Sequence, residues 1–93
     1  MAADLNEKVG RYEKLLKKAL ELAQPAPRTN SHLMKVADDY LNMARAYYND
    51  GLHFVKIGDP VNALVCFSYG HAWLDAGARL GIFDVDDNVL FTI

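Results

Sequence analysis

The sequence predicts an all-α protein, an antiparallel three-helix bundle made of a long helical hairpin, an N-terminal helix and a docked, extended C-terminal tail. Apolar residues recur at helical spacing along three stretches of the chain. Prolines and glycines fall between these stretches, where helices end. Hydrophobic residues make up 52% of the 93 residues, which is enough for one core, and the chain is too short for two.

Composition limits the classes of partner that we expect. The formal net charge is −2 and the pI is near 5.8, so nucleic acid, which binds clustered positive charge, is not expected as a partner. No apolar run approaches the ~18 residues that cross a bilayer, and the N-terminus does not resemble a signal peptide. We therefore expect one cytoplasmic domain over residues 1–93 with no membrane association.

The first helix is expected over residues 4–23. Asp4 suits the N-cap because its carboxylate can accept hydrogen bonds from free N–H groups, and Glu7 completes a capping-box pattern. One face of this helix is apolar, and most of its lysines and arginines lie on the other, which we interpret as a solvated surface. Two prolines in residues 24–31, Q-P-A-P-R-T-N-S, then break the helix and form a linker.

The second helix is expected over residues 32–57 and the third over residues 60–80. Asp59 and Pro60 are typical of a helix start, and Gly81 is typical of a helix end. The third helix is apolar or small almost all round, which predicts burial on most sides. The second helix is apolar on one half, and its polar residues share the other: Lys35, Asp38, Asn42, Arg45, Asn49, His53 and Lys56.

Rows of large and small side chains predict how the hairpin pairs. On each of the two helices, residues seven apart form a row of large side chains, and beside it runs a row of small ones. Folding the chain back at Gly58-Asp59 sets each large residue against a small one on the other helix. The expected pairs are Phe54–Ala63, Tyr47–Gly70, Tyr40–Gly77, Gly51–Cys66, Ala44–Trp73 and Ala37–Leu80.

The tail, residues 82–93, alternates like a short strand at Val89, Phe91 and Ile93. A free apolar strand invites aggregation. We therefore expect the tail to lie across the bundle or to pair with another copy of the chain.

Four polar residues of the third helix form the candidate functional patch: Ser68, His71, Asp75 and Arg79. A carboxylate beside an imidazole can orient it as a general base, and an arginine can hold an anion. The alternative is a surface ladder of side-chain pairs four residues apart. We favour the ladder, because no nucleophile or glycine loop accompanies the patch and the three histidines lack metal-ligand spacing. No catalytic residue, metal or cofactor is predicted.

Two stretches resemble known families. Residues 44–70, with A-x-A-Y-Y-N-x-G-x-x-F and a following G-D, resemble one tetratricopeptide repeat, but no second copy is present to stack on it. Residues 58–83, G-D-x-x-x-A-L-x-x-F-S-Y-x-H-x-W-L-D-A-G-A-R-L-G-x-F, resemble archaeal proteins of domain-of-unknown-function family 357. That resemblance implies a small, all-helical archaeal protein and carries no activity, ligand or catalytic residue.

Two functions are consistent with these observations. Abundant apolar surface and scarce reactive groups favour a non-catalytic protein-interaction or self-association module, with a protein partner or a homodimer. The alternative is a small ligand-binding protein or enzyme that uses His71, Asp75 and Arg79. A cleft around those residues would favour the alternative, and an exposed ladder would favour the interaction module.

Overall fold

A computed structural model describes residues 3–26, 31–85 and 90–91. It contains three helices, α1 (Leu5–Leu22), α2 (His32–Lys56) and α3 (Pro60–Leu80). The helices pack against one another, most extensively α2 against α3, so the all-α three-helix bundle is confirmed. Each helix begins and ends within one residue of its expected bounds. No helix among the described residues combines the length and the apolar character that a membrane crossing requires.

The helix ends carry the expected caps. The Asp4 carboxylate accepts from the backbone N–H of Asn6, at 3.0 Å, at the start of α1. At the start of α3, the Asp59 carboxylate accepts from the backbone N–H of Asn62, at 3.1 Å. Gly81 ends α3 with a φ of 79°, a conformation that residues with a Cβ rarely adopt. These contacts satisfy backbone groups that every helix end leaves free.

The core lies where the three helices meet and includes part of the tail. Its largest fully buried side chains are Leu16 of α1, Phe67 and Leu74 of α3, and Phe91 of the tail. The expected polar side of α2 is exposed along its whole length.

The hairpin register is partly as expected. A Cβ added at Gly70 would lie 3.0 Å from the Tyr47 Cβ, which confirms that pair. At Gly51, the atoms nearest to an added Cβ belong to the ring of Phe67, which was not the expected partner. The pair of Tyr40 with Gly77 stays a prediction, because the atoms nearest to an added Cβ at Gly77 belong to Phe83.

Two aromatic residues lie beside this expected pair. Trp73 meets Tyr40 edge-on, with ring centroids 5.0 Å apart, a geometry that aromatic pairs favour. Phe83 from the tail fills the space over Gly77. Leu80, the expected partner of Ala37, is 62% exposed, so most of its side chain is not covered by the bundle.

The tail docks on its own bundle. Phe83 forms an isolated antiparallel bridge with Pro25 of the linker. On either side of it, the Ala26 N–H donates to the Ile82 carbonyl and the Asp84 N–H to the Gln24 carbonyl, both at 2.8 Å. Leu90 and Phe91 are buried, so the first of the two expected tail placements is the one observed. Val89 and Ile93 of the strand-like pattern lie outside the described residues.

Candidate functional site

The predicted polar patch lies on the flank of α3 that the tail crosses. Ser68 and Arg79 are exposed, whereas the side chains of His71 and Asp75 are 18% and 29% exposed. Helical spacing brings His71 Nε2 to 3.6 Å from Asp75 Oδ1. The patch therefore divides into a half-buried pair and two exposed residues.

His71 contacts the tail through both an edge and a face of its ring. Its Nε2–H donates to the backbone carbonyl of Leu90; a carbonyl can only accept, so this nitrogen carries a proton. The imidazole also stacks on Phe91, with ring centroids 6.4 Å apart and planes 28° apart. His71 Nδ1 is buried and has no hydrogen-bond partner within the described part of the chain. A substrate would have to displace the Leu90 carbonyl to form a hydrogen bond with Nε2.

Metal chemistry finds no support in this arrangement. Among residues 3–26, 31–85 and 90–91, no three His, Cys, Asp or Glu side chains are grouped so that they could hold a metal ion.

Cys66 is buried in α3, and burial, with a smaller contribution from Asp50, raises the pKa of its thiol. Less of the thiol is then in the reactive thiolate form at neutral pH.

A second surface of α3 was not predicted from the sequence. Six apolar residues form an exposed stripe, which we call the outer face of α3: Val61, Val65, Tyr69, Ala72, Ala76 and Leu80. The four large side chains among them are each more than half exposed. The prediction that α3 is buried on most sides is therefore wrong, because α1, α2 and the described residues of the tail, 82–85 and 90–91, leave this stripe exposed.

A shallow apolar hollow of about 160 Å³ adjoins the outer face. Its lining residues are Tyr40, Tyr69, Ala72, Trp73 and Ala76. Tyr69 stands between two ring contacts, with centroids 4.7 Å from Tyr47 and 6.5 Å from Trp73. These edge-on contacts fix the position of the Tyr69 ring beside the hollow. The signal that could have located this surface is the spacing of the six residues, by four, four, three, four and four, along one side of a helix.

Comparison with known families identifies the chain's relatives. The family described as protein of unknown function (DUF357) matches residues 11–83. The chain belongs to this family. The DUF357 match contains α2, α3 and most of α1, so the whole outer face lies inside the matched region. No curated protein and no solved structure matches the chain.

Proposed function

We propose that this DUF357 protein is a non-catalytic protein-interaction module of the cytoplasm, and that the outer face of α3 is its contact surface. The observation that supports this is the exposure of Val61, Val65, Tyr69 and Leu80, at 59%, 58%, 52% and 62%, on one continuous stripe. Single exposed apolar residues are common on monomers, but a continuous stripe rimmed by polar side chains is typical of an interaction site.

The composition of the stripe is that of an interface centre. None of its six residues is charged, and Tyr69 is of a type that interfaces favour, because its ring buries a large area at a small cost in conformational entropy. Each Å² of this apolar surface that a partner removes from water contributes about 25 cal/mol. By contrast, His71 of the polar patch is already engaged by the tail. The interaction module is therefore better supported than the ligand-binding or enzymatic alternative.

Photo-crosslinking in cells that produce the protein tests this proposal. A photoreactive phenylalanine analogue replaces Tyr69 on the outer face, and the matched control carries it at Asn49 on the exposed polar side of α2. We expect a discrete protein adduct from position 69 and none from position 49. Equal or absent crosslinking at the two positions would refute the proposal.

A further inference from the structure

The outer face of α3 has a symmetry that its apolar character alone does not require. Its six residues fall into three pairs that are equidistant from the midpoint of the stripe, between Gly70 and His71. From the inside outward, the pairs are Tyr69 with Ala72, Val65 with Ala76, and Val61 with Leu80. A two-fold rotation that reverses the direction of the helix therefore places each of the six positions level with another position of the same stripe.

We infer that the partner is a second copy of this chain, docked outer face to outer face with the two α3 helices antiparallel and a two-fold axis at that midpoint. This inference rests on the proposed function, since it names the partner of the same surface. A two-fold interface uses one patch twice, so that if residue i meets residue j, then j also meets i. The paired positions along the stripe satisfy that condition.

In the inferred dimer, large side chains of one copy lie level with small side chains of the other. In antiparallel packing, Tyr69 lies level with the second copy's Ala72, and Val65 lies level with its Ala76. The apolar hollow beside Ala72 and Ala76 then lies where the second copy's Tyr69 ring arrives. Filling this space would give the dense packing that interface centres share with protein interiors.

Charges at the ends of the stripe favour the antiparallel direction. The Asp59 carboxylate, which accepts from the Asn62 amide at 2.6 Å, lies at the start of α3, and Arg79 lies in its last turn. Antiparallel packing brings these opposite charges to the same end of the dimer. Antiparallel helices also place each positive N-terminus beside a negative C-terminus. A parallel pair would instead bring Arg79 to Arg79.

The available surface sets the strength of the contact. The 21 residues of α3 extend about 31 Å. A standard interface buries roughly 800 Å² per partner, which is about an eighth of the 6028 Å² that this chain exposes. A single helix face supplies less than that, so we expect a dimer at the small end of the size range, with a micromolar dissociation constant.

Sedimentation velocity over low-micromolar to near-millimolar concentrations tests whether the dimer forms. We expect the wild type to shift from monomer to dimer within that range. Tyr69→Lys should remain a monomer throughout, and Asn49→Lys should behave like the wild type. A wild-type chain that is monomeric at every concentration would overturn the inference. So would a Tyr69→Lys variant that dimerises as the wild type does, provided that circular dichroism shows both variants to be folded.

Disulfide trapping tests the direction and the register, in a Cys66→Ala background that removes the native thiol. At the midpoint, the two copies of residue 72 are about 5 Å apart along the helix axis, whereas those of residue 76 are about 17 Å apart. A disulfide spans Cα atoms about 4.4–6.8 Å apart. The axial offset at residue 76 alone exceeds that range, whereas the offset at residue 72 leaves room for the gap between closely packed helices, so Ala72→Cys should form a covalent dimer and Ala76→Cys should not. The double variant Val65→Cys with Ala76→Cys should crosslink at both pairs. Self-crosslinking of Ala76→Cys would indicate a parallel dimer and overturn the inference.

The two proposals fail in different ways. If the cellular adduct of position 69 contains only this chain's own peptides, both proposals stand. If it contains a different protein, while the purified chain stays monomeric, the interaction module stands and the self-docking inference falls. If position 69 gives no adduct above the control, the proposed function falls.

Discussion

The two long faces of α3 have similar apolar character and different surroundings. The inner face carries Ala63, Phe67 and Leu74, all completely buried against the rest of the bundle. The outer face carries Val61, Val65 and Tyr69, all more than half exposed. The difference shows that the hydrophobicity of α3 alone does not predict which of its faces the described residues cover.

The number of available covering elements explains the difference. α1 and α2 cover two sides of α3, and the tail takes a further place, with Phe83 over Gly77 and Leu90 beside His71. The described residues form three helices and include no fourth helix to lie on the remaining side. Small domains bury a smaller fraction of their surface than large ones, so an apolar face left over is a physical consequence of size.

The largest expected contrast between the two faces is in truncation to alanine. Phe67→Ala should lower the free energy of unfolding by about 3–5 kcal/mol, because it leaves a cavity in a packed core. Val65→Ala, on the outer face, should change it by no more than about 0.5 kcal/mol. Urea denaturation of both variants at low micromolar concentration measures the contrast. Similar losses at the two positions would show that the outer face is covered within the monomer.

The inner face was largely predictable from the sequence because its pattern is local. Seven-residue spacing placed Tyr47 on Gly70, and capping chemistry placed both ends of α3. The contacts of Gly77 were not predictable in the same way. They depend on Phe83, which reaches α3 only after the chain has left the helix and paired with the linker at Pro25.

In the candidate patch too, the local contact could be predicted from the sequence and the contacts with the tail could not. Sequence spacing was sufficient to bring His71 to Asp75, since any two residues four apart on a helix are neighbours. The contacts of His71 with Leu90 and Phe91 join residues about twenty positions apart in the sequence, and no local pattern predicts such contacts. Long-range contacts of this kind require the assembled fold.

The next largest contrast is between two helical glycines. A side chain at Gly70 would begin 3.0 Å from Tyr47 Cβ and 3.2 Å from the Ala44 carbonyl oxygen, atoms close to the backbone that yield little. Gly70→Leu should therefore lower stability by about 1–3 kcal/mol through overpacking. At Gly10 no heavy atom lies within 4 Å of an added Cβ, and the residue lines an open hollow of about 460 Å³.

Gly10→Leu should raise stability by up to about 1 kcal/mol, because leucine has the higher helix propensity. Thermal melting of the two variants beside the wild type provides the measurement. If Gly70→Leu melts at the wild-type temperature, the close approach of α2 and α3 at Tyr47 is not as described.

A smaller effect is expected where the tail meets the flank of α3. His71→Ala removes one hydrogen bond to Leu90 and one ring contact with Phe91, which together should cost about 1–2 kcal/mol. Ser68→Ala, on the exposed part of the same flank, should change stability by less than about 0.5 kcal/mol. Amide hydrogen exchange at Leu90 and Phe91 should accelerate in His71→Ala alone. Unchanged exchange there would mean that His71 does not hold the tail.

The smallest perturbation compares the reactivity of a single thiol on each of the two faces. Native Cys66 lies on the inner face, where burial and, to a smaller extent, the charge of Asp50 raise the pKa of its thiol. The variant Val65→Cys, in a Cys66→Ala background, places the thiol one residue away on the outer face. The raised pKa reduces the thiolate fraction, and packing restricts access, so Cys66 should react with a disulfide reagent at least about tenfold more slowly near pH 8. The Cys66 rate should also continue to rise at a pH where the rate of the outer thiol has levelled, since the pKa shift is upward.

Both thiols should react equally fast in denaturant, which controls for the neighbouring sequence. Equal rates in the folded protein at low micromolar concentration would show that the inner face opens readily to solvent, and the distinction between the two faces of α3 would then not hold in solution.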